Sequence, residues 1–171
     1  MKLGKVILIA GLCLGAANAA DFVDYKKLSH GLKEKAKAEG QIATTAEVKE
    51  ALKAKDWAVV DIRTMDEWNG AHIDGSQRIG REAPEKALES IVLDDNNKFV
   101  KENLVVVCNT ASRAVIEAQA FRQMGFKNVK VYGIETWMEE CNPTKNWYSN
   151  VANKDKRKLG NYLPEHCVNV K

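Results

Sequence analysis

One apolar run that meets a sharp polar stop is Leu104-Val105-Val106-Val107-Cys108, followed by Asn109-Thr110-Ala111-Ser112-Arg113. Four apolar residues, three of them β-branched, predict a central buried strand, and Ala114, Ala118 and Phe121 then recur at i, i+4 and i+7 up to Gly125, which predicts an amphipathic helix. The same change of period repeats on either side. Ala58 to Ile62 and Val129 to Tyr132 read as strands, Ile79 ends a shorter one, and Pro84 to Val92 and Ile134 to Glu140 read as helices. Thr44-Thr45-Ala46-Glu47 and Thr64-Met65-Asp66-Glu67 are two capping boxes, the first opening a helix buried through Val48 and Leu52, the second a helical turn carrying Trp68. Before them, Tyr25, Leu28, Leu32 and Ala36 sit at helical spacing among lysines and glutamates in an amphipathic helix outside the main sheet. It packs either on its own domain or on a second copy as a dimer contact. Strands alternating with helices predict an α/β fold with a mainly parallel central sheet covered by helices on both faces. In such sheets ligands bind beyond the strand carboxyl ends.

Cys108 falls at that end. Backbone N–H groups left free at a helix amino terminus, with a dipole of roughly half a charge, make an anion site. The field that would hold a substrate anion also favours the nucleophilic thiolate form of a cysteine. Cys108 is therefore the candidate nucleophile, Asn109, Thr110, Ala111 and Ser112 the anion-binding loop, and Arg113 a fixed positive charge closing it. The plainer alternative is a small buried hydrophobe at a strand end.

Residues 1–19 carry Lys2 and Lys5, an apolar run from Val6 to Ala16 and the small-x-small site Ala17-Asn18-Ala19, the pattern of a cleavable signal peptide. The run is well short of the roughly 20 residues that span a bilayer, so export to the periplasm with no membrane anchor afterwards is expected. Cys13 would be lost with the signal. Roughly 150 residues would remain, enough for one domain. The whole chain has 26 basic and 23 acidic residues. Lys2 and Lys5 leave with the signal, so 24 stand against 23, which gives no reason to expect nucleic acid as a partner.

Export also decides how the cysteines are read. Cys108, Cys141 and Cys167 are three, and pairing in an oxidising compartment must leave one out. Cys141 and Cys167 are expected to pair, closing a loop of about 25 residues that the chain-entropy model values at roughly 3 kcal/mol. Cys108 would stay free. The competing reading makes one of them a resolving thiol for Cys108, although neither lies in a C-x-x-C spacing.

Asp61-Ile62-Arg63, Glu67-Trp68, His72-Ile73-Asp74-Gly75, Cys108 with Arg113 five positions on, Gly125-Phe126 and Trp137, in that order and spacing, resemble the rhodanese family of sulfurtransferases from about Ile42 to Glu140. The signal peptide, the Thr110-Ala111-x-Arg113-Ala114 form of the loop, the leading helix and an arginine at 81 before a helix are most similar to the periplasmic polysulfide-sulfur transferases. The organisation implied is a signal peptide (1–19), a leading helix (20–41), a rhodanese-like three-layer domain (42–140) and a disulfide-tethered C-terminal extension (141–171). Three positions depart from the family pattern. Ala111 stands for its loop glycine, Ala71 for the glycine before the histidine, and a single Gly133 for a glycine pair. An alanine forced to positive φ costs about 1 kcal/mol, so a differently shaped loop is expected.

The resemblance implies that Cys108 attacks the outer sulfur of polysulfide or thiosulfate and keeps it as a persulfide. A thiol, sulfide, sulfite or cyanide then removes it, with no metal or organic cofactor. Arg113 either faces the substrate or ties the loop down through a carboxylate. Arg63 either faces the pocket or forms a buried ion pair with Glu67 or Asp61. Arg81 either receives an anionic sulfur chain or is a solvated surface arginine. Asp61 and His72 are taken as structural, and His30, His72 and His166 lack metal-ligand spacing. The extension is read as a tail strapped down by Trp147, Tyr148 and Tyr162 around a solvated charged run, 154–158. Two rival functions are a cysteine-dependent phosphatase, whose loop has one residue more than the four between Cys108 and Arg113, and a non-catalytic periplasmic sulfur carrier.

Overall fold

The computed structural model describes residues 22–149, 157–162 and 164–168; the expected signal peptide lies outside the described residues. Four strands, β1 (Trp57–Asp61), β2 (Gln77–Arg78), β3 (Asn103–Cys108) and β4 (Asn128–Gly133), form one all-parallel sheet in the order β2-β1-β3-β4. β3 is central and every one of its residues is buried, as its unbroken apolar run requires. The register sets Asp61 against Val107 and Cys108 against Gly133.

Alternation along the strands divides the core between two faces. Val60, Ile62, Leu104, Val106 and Cys108 face one layer, built from α1 (Tyr25–Ala38), α4 (Pro84–Val92) and α5 (Ser112–Gln123), whose Ala36, Leu88, Ala114, Ala118 and Phe121 pack there. Val59, Val105, Val107 and Tyr132 face the other, covered by Val48 and Ala51 of α2 (Thr45–Lys53) and by Ile134 and Trp137 of α6 (Ile134–Glu139). The result is a three-layer α/β fold. Among the described residues no helix is long and apolar enough to cross a membrane.

Both capping boxes form, Thr44 with Glu47 on α2 and Thr64 with Glu67 on α3 (Met65–Gly70). The leading helix α1 packs on its own domain, along α5. Its buried line runs through Ser29 and Ala36, with Leu32 partly buried, whereas Tyr25 and Leu28 at its start stay exposed. The extension is more regular than an irregular strap. Thr144–Ser149 (β5) and Arg157–Tyr162 (β6) pair as an antiparallel hairpin, followed by the short helix α7 (Glu165–Val168). Arg157 and Lys158, expected in a solvated loop, therefore lie in a strand; 154–156 and the side chains of Trp147, Tyr148 and Tyr162 lie outside the described residues. Backbone pairing holds the extension to the domain, and a disulfide closes the extension on itself. His72 and Lys145 exchange backbone hydrogen bonds of 2.8 Å each way, and Cys141 is bonded to Cys167 with their Cα atoms 5.4 Å apart.

Candidate active site

Cys108 is the last residue of β3 and is free, with only 1 % of its surface exposed. Asn109, Thr110 and Ala111 carry the chain from it to α5. Unlike α2 and α3, α5 has no side-chain cap, because its N-cap is Ala111. The N–H groups of its first turn have no intrahelical acceptors, so the end of the helix that faces the loop is left as a field of donors. Ala111 adopts φ 66°, in the left-handed region. The alanine accepts a strain of roughly 1–2 kcal/mol where a glycine would be relaxed, so the expectation that it would avoid this conformation is corrected here. Gly133 on the neighbouring strand makes room for the loop: a Cβ there would stand 2.9 Å from the Asn109 carbonyl oxygen.

One carboxylate holds the loop in place. Glu67 accepts from Arg113 Nη1 at 3.1 Å and Nη2 at 2.8 Å, and from Asn109 Nδ2 at 2.8 Å. It also closes the capping box with the Thr64 N–H at 2.9 Å and hydroxyl at 3.0 Å. The Arg113 guanidinium holds the Glu67 carboxyl well below the usual carboxylate range, with the Thr64 hydrogen bonds adding to it. Of the two roles open to Arg113, the geometry is that of loop support. From the other side Lys33 of α1 donates to the Thr110 carbonyl at 2.8 Å.

Arg63 does not face a pocket. Its Nε and Nη2 lie 2.9 and 2.7 Å from Asp61 Oδ2, Nη2 also donates to Ala71 O at 2.7 Å, and Nη1 reaches Glu67 O at 3.3 Å. A guanidinium 4 % exposed, paired with a carboxylate 1 % exposed, is a bracket joining β1 to the end of α3. Substrate binding by Arg63 is thereby corrected in favour of the buried pair with Asp61, since its donors are occupied within the protein. His72 stacks on Trp68 with ring centroids 3.9 Å apart and its Nδ1 lies 2.9 Å from Trp68 O. Burial pushes its pKa down.

Two cavities flank the loop. One, of about 300 Å³, lies between Lys33, Thr110, Tyr132, Gly133 and Glu139. The other, of about 210 Å³, lies on the Cys108 face of the sheet and is lined by Tyr25, Ile62, Arg81, Pro84, Arg113, Ile116 and Glu117. Arg81 therefore opens onto a cavity that it shares with Arg113, and its side chain has no hydrogen bond or ion pair among the described residues. Glu117 Oε1 is buried without a hydrogen-bond partner. Burial, and after it the charge of Glu85 and a side-chain hydrogen bond with Glu85, push the Glu117 carboxyl up to about 7. Among the described residues one group of metal-ligating types comes together, Cys141, His166 and Cys167, and its two sulfurs are occupied by the disulfide.

Sequence reasoning grouped this strand, loop and arginine but missed Glu67 as the loop's anchor, Lys33 as its second clamp, and Glu117. Glu67 had a signal, since the third residue of a capping box is a carboxylate fixed in place. Lys33 had none, because 77 positions separate it from Thr110.

Three solved structures are similar to parts of the chain. An anaerobic ergothioneine biosynthesis enzyme from Chlorobium limicola, in complex with trimethyl histidine, is similar over 57 % of this chain, with 18 % identity and a TM-score of 0.45. The chain spans only 25 % of that protein's length. A rhodanese-related protein from Thermoplasma volcanium is 24 % identical over 61 % of this chain and 96 % of its own, with a TM-score of 0.44. A protein of unknown function from Rhodopseudomonas palustris, described as a possible tyrosine phosphatase, is 21 % identical over 69 % of this chain and 91 % of its own, with a TM-score of 0.47. No curated protein matches the chain. The model of the rhodanese-like domain matches residues 44–140, more than half of the sequence and the whole span from the α2 capping box to the end of α6, and the chain belongs to that family.

Proposed function

We propose that the protein is a sulfurtransferase that carries sulfane sulfur as a persulfide on Cys108. The observation that carries this reading is a free, buried cysteine at the carboxyl end of β3, facing the uncapped amino end of α5. With thiosulfate as donor, the Cys108 thiolate attacks the outer sulfur, the S–S bond of the donor breaks, and sulfite leaves with the bonding pair. The anionic persulfide is then held by the N–H groups of Asn109 to Arg113, much as an oxyanion hole holds its charge. An acceptor thiolate or cyanide attacks the outer sulfur in turn and releases Cys108 as thiolate, so the cycle needs no outside oxidant or reductant.

The loop supports sulfur over phosphate. Only four residues separate Cys108 from Arg113, and Arg113 is turned onto Glu67 instead of into the loop. The finer reading, transfer from polysulfide or thiosulfate in the periplasm, rests on the signal-peptide pattern of residues 1–19 and on a tail closed by a disulfide.

Intact-mass measurement after incubation with polysulfide or thiosulfate is the test. A gain of one sulfur is expected, absent in Cys108→Ser and discharged by cyanide. No gain with any sulfane donor would refute the reading. Repeated turnover with small donors and acceptors separates an enzyme from a carrier, which would take up one sulfur per chain and stop.

A further inference from the structure

The cavity of about 210 Å³ on the Cys108 face joins chemistries that a simple anion would not need. Its floor is Ile62, which continues β1 past Asp61. Since Asp61 pairs with Val107, Ile62 lies beside Cys108 about one strand spacing away, near 4.8 Å. Both side chains belong to the same core cluster. Cys108 itself does not line the cavity; Ile62 and Arg113, which do, stand between a ligand seated there and the nucleophile.

The walls are of three kinds. Ile116 and Pro84 are apolar, Arg81 offers a guanidinium without a partner among the described residues, and Glu117 offers a carboxyl oxygen that is buried and accepts no hydrogen bond. A buried acceptor left unpaired costs free energy that a ligand N–H donor would recover. An inorganic sulfur anion would satisfy Arg81 but be repelled by Glu117; a simple amine would do the reverse. A small zwitterion satisfies both, and the cavity is below the roughly 300 Å³ at which pockets for drug-sized ligands begin.

We infer that this cavity is the acceptor subsite and that the acceptor is a zwitterionic α-amino thiol of the cysteine type, its carboxylate on Arg81 and its ammonium on Glu117. This rests on the persulfide reading of Cys108. The transfer step is attack of the acceptor thiolate on the outer sulfur of the Cys108 persulfide. The new bond is between the acceptor sulfur and the sulfane sulfur, the bond to Cys108 Sγ breaks, and Cys108 leaves as thiolate.

The groups facing Glu117 are Tyr25 of α1, Arg81 of the segment before α4, Glu85 of α4 and Arg113 on its own helix. The carboxyl of Glu117 must be ionised to hold an ammonium. With burial placing its titration at about 7, the preference for the zwitterion falls as pH drops through neutrality.

The experiment loads the wild-type protein with sulfur and measures the second-order rate at which cysteine, 3-mercaptopropionate, which lacks the ammonium, and cysteamine, which lacks the carboxylate, discharge the persulfide. Each ratio is compared with that on a small-molecule persulfide in solution, which removes differences in thiol reactivity. Wild-type protein is expected to favour cysteine over either analogue at least tenfold more than solution does. Glu117→Gln should collapse the excess over 3-mercaptopropionate, and Arg81→Ala, a surface change that leaves the core untouched, the excess over cysteamine. Solution-like ratios in the wild type, or ratios unmoved by both substitutions, would overturn the assignment. Cyanide discharge of the wild-type persulfide separates the two levels: if it proceeds while the ratios fail, only the subsite is wrong, and if no persulfide forms, the sulfur-transfer reading itself fails.

Discussion

Replacing Glu67 by alanine tests the claim that one carboxylate anchors the nucleophile loop. The side chain accepts two hydrogen bonds from Arg113, one from Asn109 and two from Thr64. Its side chain and that of Arg113 are 28 % and 24 % exposed, so the pair lies between a surface ion pair, which contributes up to about 1 kcal/mol, and a buried one, whose breakage costs about 3–5 kcal/mol. Loss of the Arg113 pair should thus cost about 2 kcal/mol, and loss of the α3 cap about 1 kcal/mol more. The total for Glu67→Ala is about 3 kcal/mol. Urea denaturation of Glu67→Ala, Arg113→Ala and the double variant isolates the pair, with an expected coupling energy of about 1.5 kcal/mol. The pH dependence gives a second reading. Because the folded-state pKa of Glu67 is depressed, its stabilisation is fully present above the ordinary value of 4.5 and is lost as pH falls below it. The stability gap between wild type and Glu67→Gln should therefore shrink under acid. A coupling energy below about 0.5 kcal/mol, or a gap that stays constant from neutral pH down through acid, would refute the reasoning.

Gly133→Ala should destabilise the protein by about 1–3 kcal/mol and slow persulfide formation, because the new Cβ at 2.9 Å from the Asn109 carbonyl pushes on the loop backbone; the denaturation midpoint and the rate of sulfur uptake by mass check it. Glu117 is the opposite of Glu67 in sign. Its folded pKa is raised to about 7, so the fold is penalised as pH rises from 4.5 through 7, and Glu117→Gln should gain stability relative to wild type more at pH 8 than at pH 5, with equal gains at both pH values counting against it. Removing the Cys141–Cys167 bridge, which spans 26 positions, in the double serine variant should cost about 3.5 kcal/mol on the chain-entropy model and open the extension to proteolysis, read by denaturation and by limited digestion.

The sequence by itself determined the architecture and the place of the chemistry. The apolar run Leu104 to Val107 can only be buried on both faces, so it had to be a central strand, and the change to helical spacing after Ser112 put Cys108 at a strand end facing a helix start. Both capping boxes were legible because they are contacts between residues three positions apart. Tertiary structure decided the directions of the charged side chains. By sequence Arg63 could pair with Asp61 or Glu67 and Arg113 with an unspecified carboxylate, and only the packing of α3 against the loop assigned Asp61 to the first and Glu67 to the second. The strained φ of Ala111 was tolerated because its neighbours hold it: Glu67 fixes Asn109 and Arg113 on one side and Lys33 fixes Thr110 on the other. The β5–β6 hairpin was invisible for a related reason. Its strands are held by pairing with each other and by the bridge from Lys145 to His72, while local periodicity records only how a segment faces its own core. Contacts within one turn of helix or one strand are written in neighbouring residues; those that aim Arg113, seat Lys33 and set Glu117 against Glu85 join positions far apart, and only the folded chain brings them together.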